Sequence, residues 1–155
     1  MAKRSAGLLM FRRRGRELEV FLVHPGGPFW QKKDAGAWSI PKGEYARGEP
    51  AFDAAQREFE EETGIKAAGE FLALGEVKQA GGKITSAWAF EGDCSVTDVR
   101  SNTFRMEWPP KSGRQKEFPE IDRAAWLTVS DARKRMLKAQ IAFLDRLVAR
   151  TEPVF

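Results

Sequence analysis

"REFEEETG", residues 57–64, gathers Glu58, Glu60, Glu61 and Glu62 in the last turns of a helix. That end of a helix carries partial negative charge from its unpaired carbonyls. Acids three or four positions apart also repel, by ~0.2–0.5 kcal/mol per pair. Local stability disfavours the stretch, and sequences that break local rules tend to do so at functional sites. The helix limits are legible on either side. Pro50 suits a helix start, "AFDAAQREFEEET" (51–63) is the body, and Gly64 is the stop. Successive helical residues turn by about 100°, so with Phe52 at zero, Phe59 falls at about 340° and Ala55 at about 300°. Those three form the buried stripe. Glu62 falls at about 280°, Glu58 at about 240° and Glu61 at about 180°, while Glu60, at about 80°, points away. Three carboxylates on one arc of a rigid element suit a hard divalent cation, which also offsets their repulsion. Arg57, at about 140°, is placed to hold Glu49 or Glu61 by a forked hydrogen bond.

Outward from the helix, the chain reads as strands. "AGLLMF" (6–11) and "LEVFLVH" (18–24) flank a polar turn containing Gly15 and predict a hairpin. "PGGPFWQKKDAG" (25–36) is a loop, "AWSI" (37–40) a short strand ended by Pro41, and "KGEYARGE" (42–49) a loop. "FLALGEVKQ" (71–79) and "KITSAWAFEG" (83–92) predict paired strands around "AGG". Residues 93–120 show no period and read as irregular. "AAWLTV" (124–129) is a last strand, and Ser130 is expected to cap a helix that runs, with a break, to Arg150. Leu137, Ile141, Leu144 and Val148 mark its buried stripe. The order predicts an α+β fold, a mixed sheet with helices on its two faces.

The composition is consistent with this. A chain of 155 residues fits one domain, 1–155, and 42% hydrophobic content with five Trp and eleven Phe excludes a disordered chain. Cys94 is the only cysteine, so no internal disulfide can form, and a reducing compartment is favoured. The apolar run at the N-terminus is too short for a signal peptide. No run approaches the ~20 apolar residues of a membrane span. A soluble, cytoplasmic protein with no membrane partner is expected; the oligomeric state is open. The formal net charge is +4, but residues 49–62 hold six acids and one base. The rest of the chain is strongly basic. An acidic patch in a basic body suits a divalent cation beside a phosphorylated ligand.

From Gly43 to Ile65 the chain reads G-x5-E-x7-R-E-F-x-E-E-x-G-I. Gly43, Glu49, Arg57, Glu58, Phe59, Glu61, Glu62, Gly64 and Ile65 closely resemble the Nudix box, with Phe59 bulkier than the commoner aliphatic there. The preceding "GAWSIPKGE" and the later "EIDRAAWL" are similar to the family as well. The resemblance implies an α/β/α sandwich with a catalytic loop–helix–loop and a C-terminal helix. It implies hydrolysis of nucleoside diphosphates linked to another moiety, with Mg2+ or Mn2+ as cofactor. Glu58 and Glu62 would be direct metal ligands, Glu61 a ligand or a water-mediated one, and the main-chain carbonyl of Lys42 another. Arg57 would position the catalytic acids. Glu58 and Glu61 would be catalytic, and the resemblance implies a general base that is either a box glutamate or an acid from a distant loop; Glu120 matches the loop acid of several relatives, with Glu117 its neighbour.

Substrate recognition lies outside the box. Bases stack on aromatics, and Trp30 and Trp88 lead the candidates, ahead of Phe29, Phe104 and Trp108. Lys83 and Arg105 are candidate phosphate contacts, with Lys32 and Lys33. The proline of many ADP-ribose hydrolases, the tyrosine of some dinucleoside polyphosphate hydrolases and the upstream signature of coenzyme A hydrolases are absent. The flanks look most like diadenosine tetraphosphate hydrolases, which favours a dinucleoside polyphosphate or nucleoside triphosphate substrate. The alternatives are an RNA 5′-end pyrophosphohydrolase, which the basic body permits without favouring nucleic acid, and a non-catalytic nucleotide-binding regulatory domain. His24, the only histidine, is expected to be structural, and Cys94 has no motif that makes it a nucleophile.

Overall fold

The structure is a computed structural model that describes residues 3–151. Strands β1 (Arg4–Arg14) and β2 (Glu17–Pro25) form the expected hairpin. Its two-residue turn needs a left-handed residue, and Gly15 supplies it at φ +61°. Next come β3 (Lys42–Glu44), α1 (Ala51–Thr63), β4 (Phe71–Lys78) and β5 (Ile84–Glu91). After β6 (Thr103–Glu107), β7 (Gln115–Pro119) and β8 (Ile121–Thr128), the helices α2 (Val129–Arg135) and α3 (Ile141–Thr151) complete the order. The main sheet runs β4-β5-β1-β2-β8, with β3 also paired to β1. Only β1 and β5 are parallel, so the sheet is mixed.

Strand side chains alternate between faces, and β1 and β2 use both. Leu8, Met10, Phe21 and Val23 pack with Ala54, Ala55 and Phe59 of α1. Leu9, Phe11, Val20 and Leu22 pack on the other side with Ala132, Met136, Phe143, Leu144 and Leu147. The result is the α/β/α sandwich that the element order implies.

One irregularity of the sheet positions everything functional. β1 pairs with β2 only at its far end, Phe11–Arg14, while its first residues, Ser5–Gly7, pair with β3. The chain at residues 39–44 is wedged between the two strands there. Ser39 exchanges both backbone hydrogen bonds with Val23, and Leu8 N–H donates to Pro41 O. The sheet splits, and the box begins inside the split.

Four expectations are corrected. Residues 37–40 make only isolated bridges, and the strand falls at Lys42–Glu44, read as loop from the sequence. Residues 93–120 are not wholly irregular: β6 and β7 form a hairpin outside the main sheet. Both strands are largely solvent-facing, so they carry no apolar alternation to read. Thr128, not Ser130, caps the helix that follows β8, its Oγ1 accepting from Asp131 N–H at 3.2 Å. The expected break lies at Met136–Gln140 and resets the helical phase. Leu144 is buried as expected, but Met136, Phe143 and Leu147 replace Leu137, Ile141 and Val148 as its buried companions.

Phe59 is fully buried between α1 and the sheet, edge-on to Phe90 at 5.4 Å. Phe59→Ala is expected to cost ~3–5 kcal/mol of stability in urea denaturation, with an unchanged m-value.

Candidate functional site

Helix α1 ends at Gly64, whose φ of +76° suits the left-handed cap and whose N–H donates to Glu60 O at 2.7 Å. Its last two turns present Glu58, Glu61 and Glu62 beside the split in the sheet. Arg57 organises them. Its Nε and Nη2 both donate to Glu49, each at 2.9 Å, in a two-pronged fork. Its Nη1 donates to Glu58 Oε1 at 2.8 Å and to Glu61 Oε2 at 3.1 Å. The sequence offers Glu49 or Glu61 as its partner; the structure gives it both, and Glu58 as well. The hydrogen bonds to Glu49 raise the Arg57 pKa, and those to Arg57 hold Glu49 below its usual range.

The strand β3 lies directly against the acids. Lys42 N–H donates to Glu62 Oε2 at 3.0 Å. A Cβ added at Gly43 would overlap the Glu58 carboxylate, so only glycine permits this approach. Burial pushes the Glu62 carboxyl up to about 8, with the Lys42 amide and ammonium opposing the rise and Glu120 and Glu58 adding to it. Burial also raises Glu58, against the pull of Arg57. Burial, then Lys83, lowers the Lys42 ammonium. Glu60 is exposed, as its angle on the helix implies.

These residues fit a divalent cation. The donors are hard carboxylate oxygens, two of them partly desolvated and resisting ionisation for want of positive charge. A glycine leaves the backbone open beside them. Among the described residues no three acidic, His or Cys side chains already converge on one point. Arg57 shares Glu58 and Glu61 instead. Lys42 touches Glu62 through its N–H, the carbonyl being the group expected to ligate.

A cleft of about 210 Å³ opens beside Glu62, lined also by Trp30, Lys42, Glu120, Ile40 and Ile121. Glu120 is tied in by its backbone: its carbonyl accepts from Gly26 N–H and its N–H donates to Asn102 O, both at 2.8 Å. The other sequence candidates separate. Lys83 pairs with Glu44 at 3.2 Å, near Lys42. Trp88 packs on Phe52, ring centroids 5.1 Å apart, and belongs with the α1 side of the core. Arg105 and Glu117 face each other at 3.9 Å across the β6–β7 hairpin and do not line the cleft. Phe29 packs edge-on against Trp108 at 5.6 Å, and the rings of Phe104 and Phe118 lie tilted to each other at 6.0 Å.

Two supporting residues were not assigned from the sequence. Gln140 is fully buried; its Oε1 accepts from Ile40 N–H and its Nε2 donates to Ser39 Oγ, both at 3.0 Å. It fixes the wedge from the α3 side, and the only signal was one amide among apolar residues. Asp122 bonds His24 Nδ1 at 2.8 Å, while His24 Nε2 bonds Lys33 O. The fully buried histidine thus ties the Trp30 loop to β2, a structural role as expected.

The family model for the Nudix domain matches residues 1–147. The chain belongs to the Nudix family. Its members are pyrophosphohydrolases that generally need divalent metal ions. The fold is similar to a C. elegans Ap4A hydrolase, solved as a binary complex (TM-score 0.63, 21% identity, 96% of this chain and 97% of that one). It is also similar to the Nudix domain of Shewanella oneidensis NrtR, complexed with ADP ribose (TM-score 0.66, 14% identity, 98% and 90%). A MutT protein from Methanosarcina mazei Go1 gives a TM-score of 0.62 at 19% identity, over 98% and 96% of the chains. A search of curated proteins finds no match. No helix among the described residues is long and apolar enough to cross a membrane.

A carboxyl raised in the folded state binds more protons than in the unfolded chain, so ionising it opposes folding. Metal-free protein is expected to lose stability as the pH rises through the window between the ordinary glutamate value of 4.5 and about 8, set by Glu62. Thermal melting with chelator or with added Mg2+ checks this. Mg2+ should raise Tm more at pH 8 than at pH 5; an equal rise at both would contradict the charge assignment.

Proposed function

We propose that the protein uses Mg2+ or Mn2+ to hydrolyse a phosphoanhydride bond of a nucleoside polyphosphate, either a dinucleoside polyphosphate or a nucleoside triphosphate. The observation that carries this reading is the contact of Glu62 and Glu58 with the backbone of Lys42 and Gly43, at the mouth of a cleft that also holds Glu120 and Trp30. Glu58, Glu62 and the Lys42 carbonyl would hold the cation, with Glu61 as a further ligand, direct or through water. The bound ion supplies Lewis acidity toward phosphate oxygens and acidifies water.

The chain's own groups do the rest. Arg57 fixes the rotamers of Glu58 and Glu61 and anchors the loop through Glu49. The partly buried Lys42 and neighbouring Lys83 offset negative charge on the phosphates. Trp30 offers a face for a base, and the half-buried cleft limits bulk water. Glu120 faces Glu62 across the cleft and is the favoured proton acceptor over Glu117, which points to Arg105. Trp88 and Arg105 keep no part in this reading, because neither lines the cleft. The substrate is a small nucleotide, with nucleic acid and membrane not favoured. Residues 1–155 are read as one domain, and the one free thiol accords with a reducing, cytoplasmic setting.

Glu58→Gln and Glu62→Gln are expected to lower kcat by ~10²-fold or more while leaving the metal-free fold intact or slightly stabilised. Steady-state assays on a panel of nucleotide anhydrides, run in oxygen-18 water, read turnover and the attacked phosphorus together. Full activity in either variant would remove these ligands from the mechanism. Glu120→Gln should flatten the acidic limb of the kcat–pH profile, because a proton acceptor works only when ionised, whereas a purely structural role would leave the profile's shape unchanged.

A further inference from the structure

A second cleft, of about 450 Å³, opens beside β3, lined by Lys3, Arg4, Glu44, Tyr45, Arg47 and Gly48 among others. The first cleft meets β3 at Lys42, and this one meets it at Glu44. The two points are two steps apart along the strand, about 7 Å at the usual rise. The residue between is Gly43, whose backbone abuts Glu58. Walls of the two clefts therefore meet β3 on either side of Gly43.

The lining of the second cleft suits a nucleotide. Its volume falls in the range of ligand sites, roughly 300–1,000 Å³. Lys3, Arg4 and Arg47 are exposed cations. Arg4 also pairs with Glu76 at 3.0 Å, whereas Arg47 forms no salt bridge among the described residues. Tyr45, the only tyrosine, is half-buried, packs against the α1-side core and lines this cleft. The one acid, Glu44, is already matched by Lys83 at 3.2 Å. A nucleoside triphosphate has one base and can furnish only one of the two clefts. A dinucleoside polyphosphate furnishes both.

We propose that this second cleft binds the far nucleotide of a dinucleoside polyphosphate, its phosphates on Lys3, Arg4 and Arg47 and its base against Tyr45. The inference rests on the function proposed above and selects between its two substrate classes. Calorimetric titration with a methylene-bridged dinucleoside tetraphosphate and the matching methylene-bridged triphosphate, in Mg2+, tests it. Wild type should bind the dinucleotide at least tenfold more tightly. Lys3→Ala/Arg47→Ala, and independently Arg47→Glu, should reduce that preference about tenfold, consistent with loss of charge-assisted contacts. Melting temperatures control for folding. No preference in wild type, or equal losses for both ligands in the variants, overturns the proposal. Binding that behaves as expected without turnover of any nucleotide anhydride would instead overturn the hydrolytic reading and leave the cleft assignment standing.

Discussion

The site depends on six residues of backbone, 39–44, hydrogen-bonded into the gap between β1 and β2. Ordinary sheets close such gaps, because unpaired N–H and C=O groups are costly to bury. Here Ser39, Pro41 and Lys42–Glu44 satisfy those groups from both sides. Gln140 closes the account at Ile40, and Glu62 takes the N–H of Lys42. Ladder hydrogen bonds that would have joined two strands hold a loop in extended form, with Gly43 set against a carboxylate. Remove the wedge and the acids of α1 have no backbone to face.

The electrostatics follow from that placement. A surface helix could shed its charge repulsion into water. Glu58 and Glu62 cannot do so fully, because β3 covers them. Arg57 relieves the outer part of the cluster, leaving the inner part, Glu62 with Glu120 nearby, the most strongly perturbed. Strain of this kind at a cleft is the usual signature of groups tuned for a ligand.

Much of this was legible in the sequence. The conflict between four acids and a helix C-terminus flagged the site, and the spacing from Gly43 to Ile65 identified the family. Helical geometry put Glu60 outside the cluster, and it is. What could not be read were features that depend on tertiary pairing. β3 is three residues long, with no apolar alternation, and becomes a strand only because β1 offers it a partner. The β6–β7 hairpin is wet on most of both faces, so hydrophobic periodicity had nothing to report. Trp88 and Trp30 are the same residue type, yet one packs on Phe52 in the core and the other walls a cleft. Only the loop fixed by His24 distinguishes them.

Arg57 carries a consequence for how the molecule responds to its surroundings. In small metal-built domains the ion is part of the scaffold, and withdrawing it unfolds the chain. Here a resident guanidinium already ties Glu49, Glu58 and Glu61 together, and the hydrophobic layers on either side of the sheet owe nothing to a cation. The scaffold is thereby held without a cation, and withdrawing a divalent ion is expected to leave the chain folded.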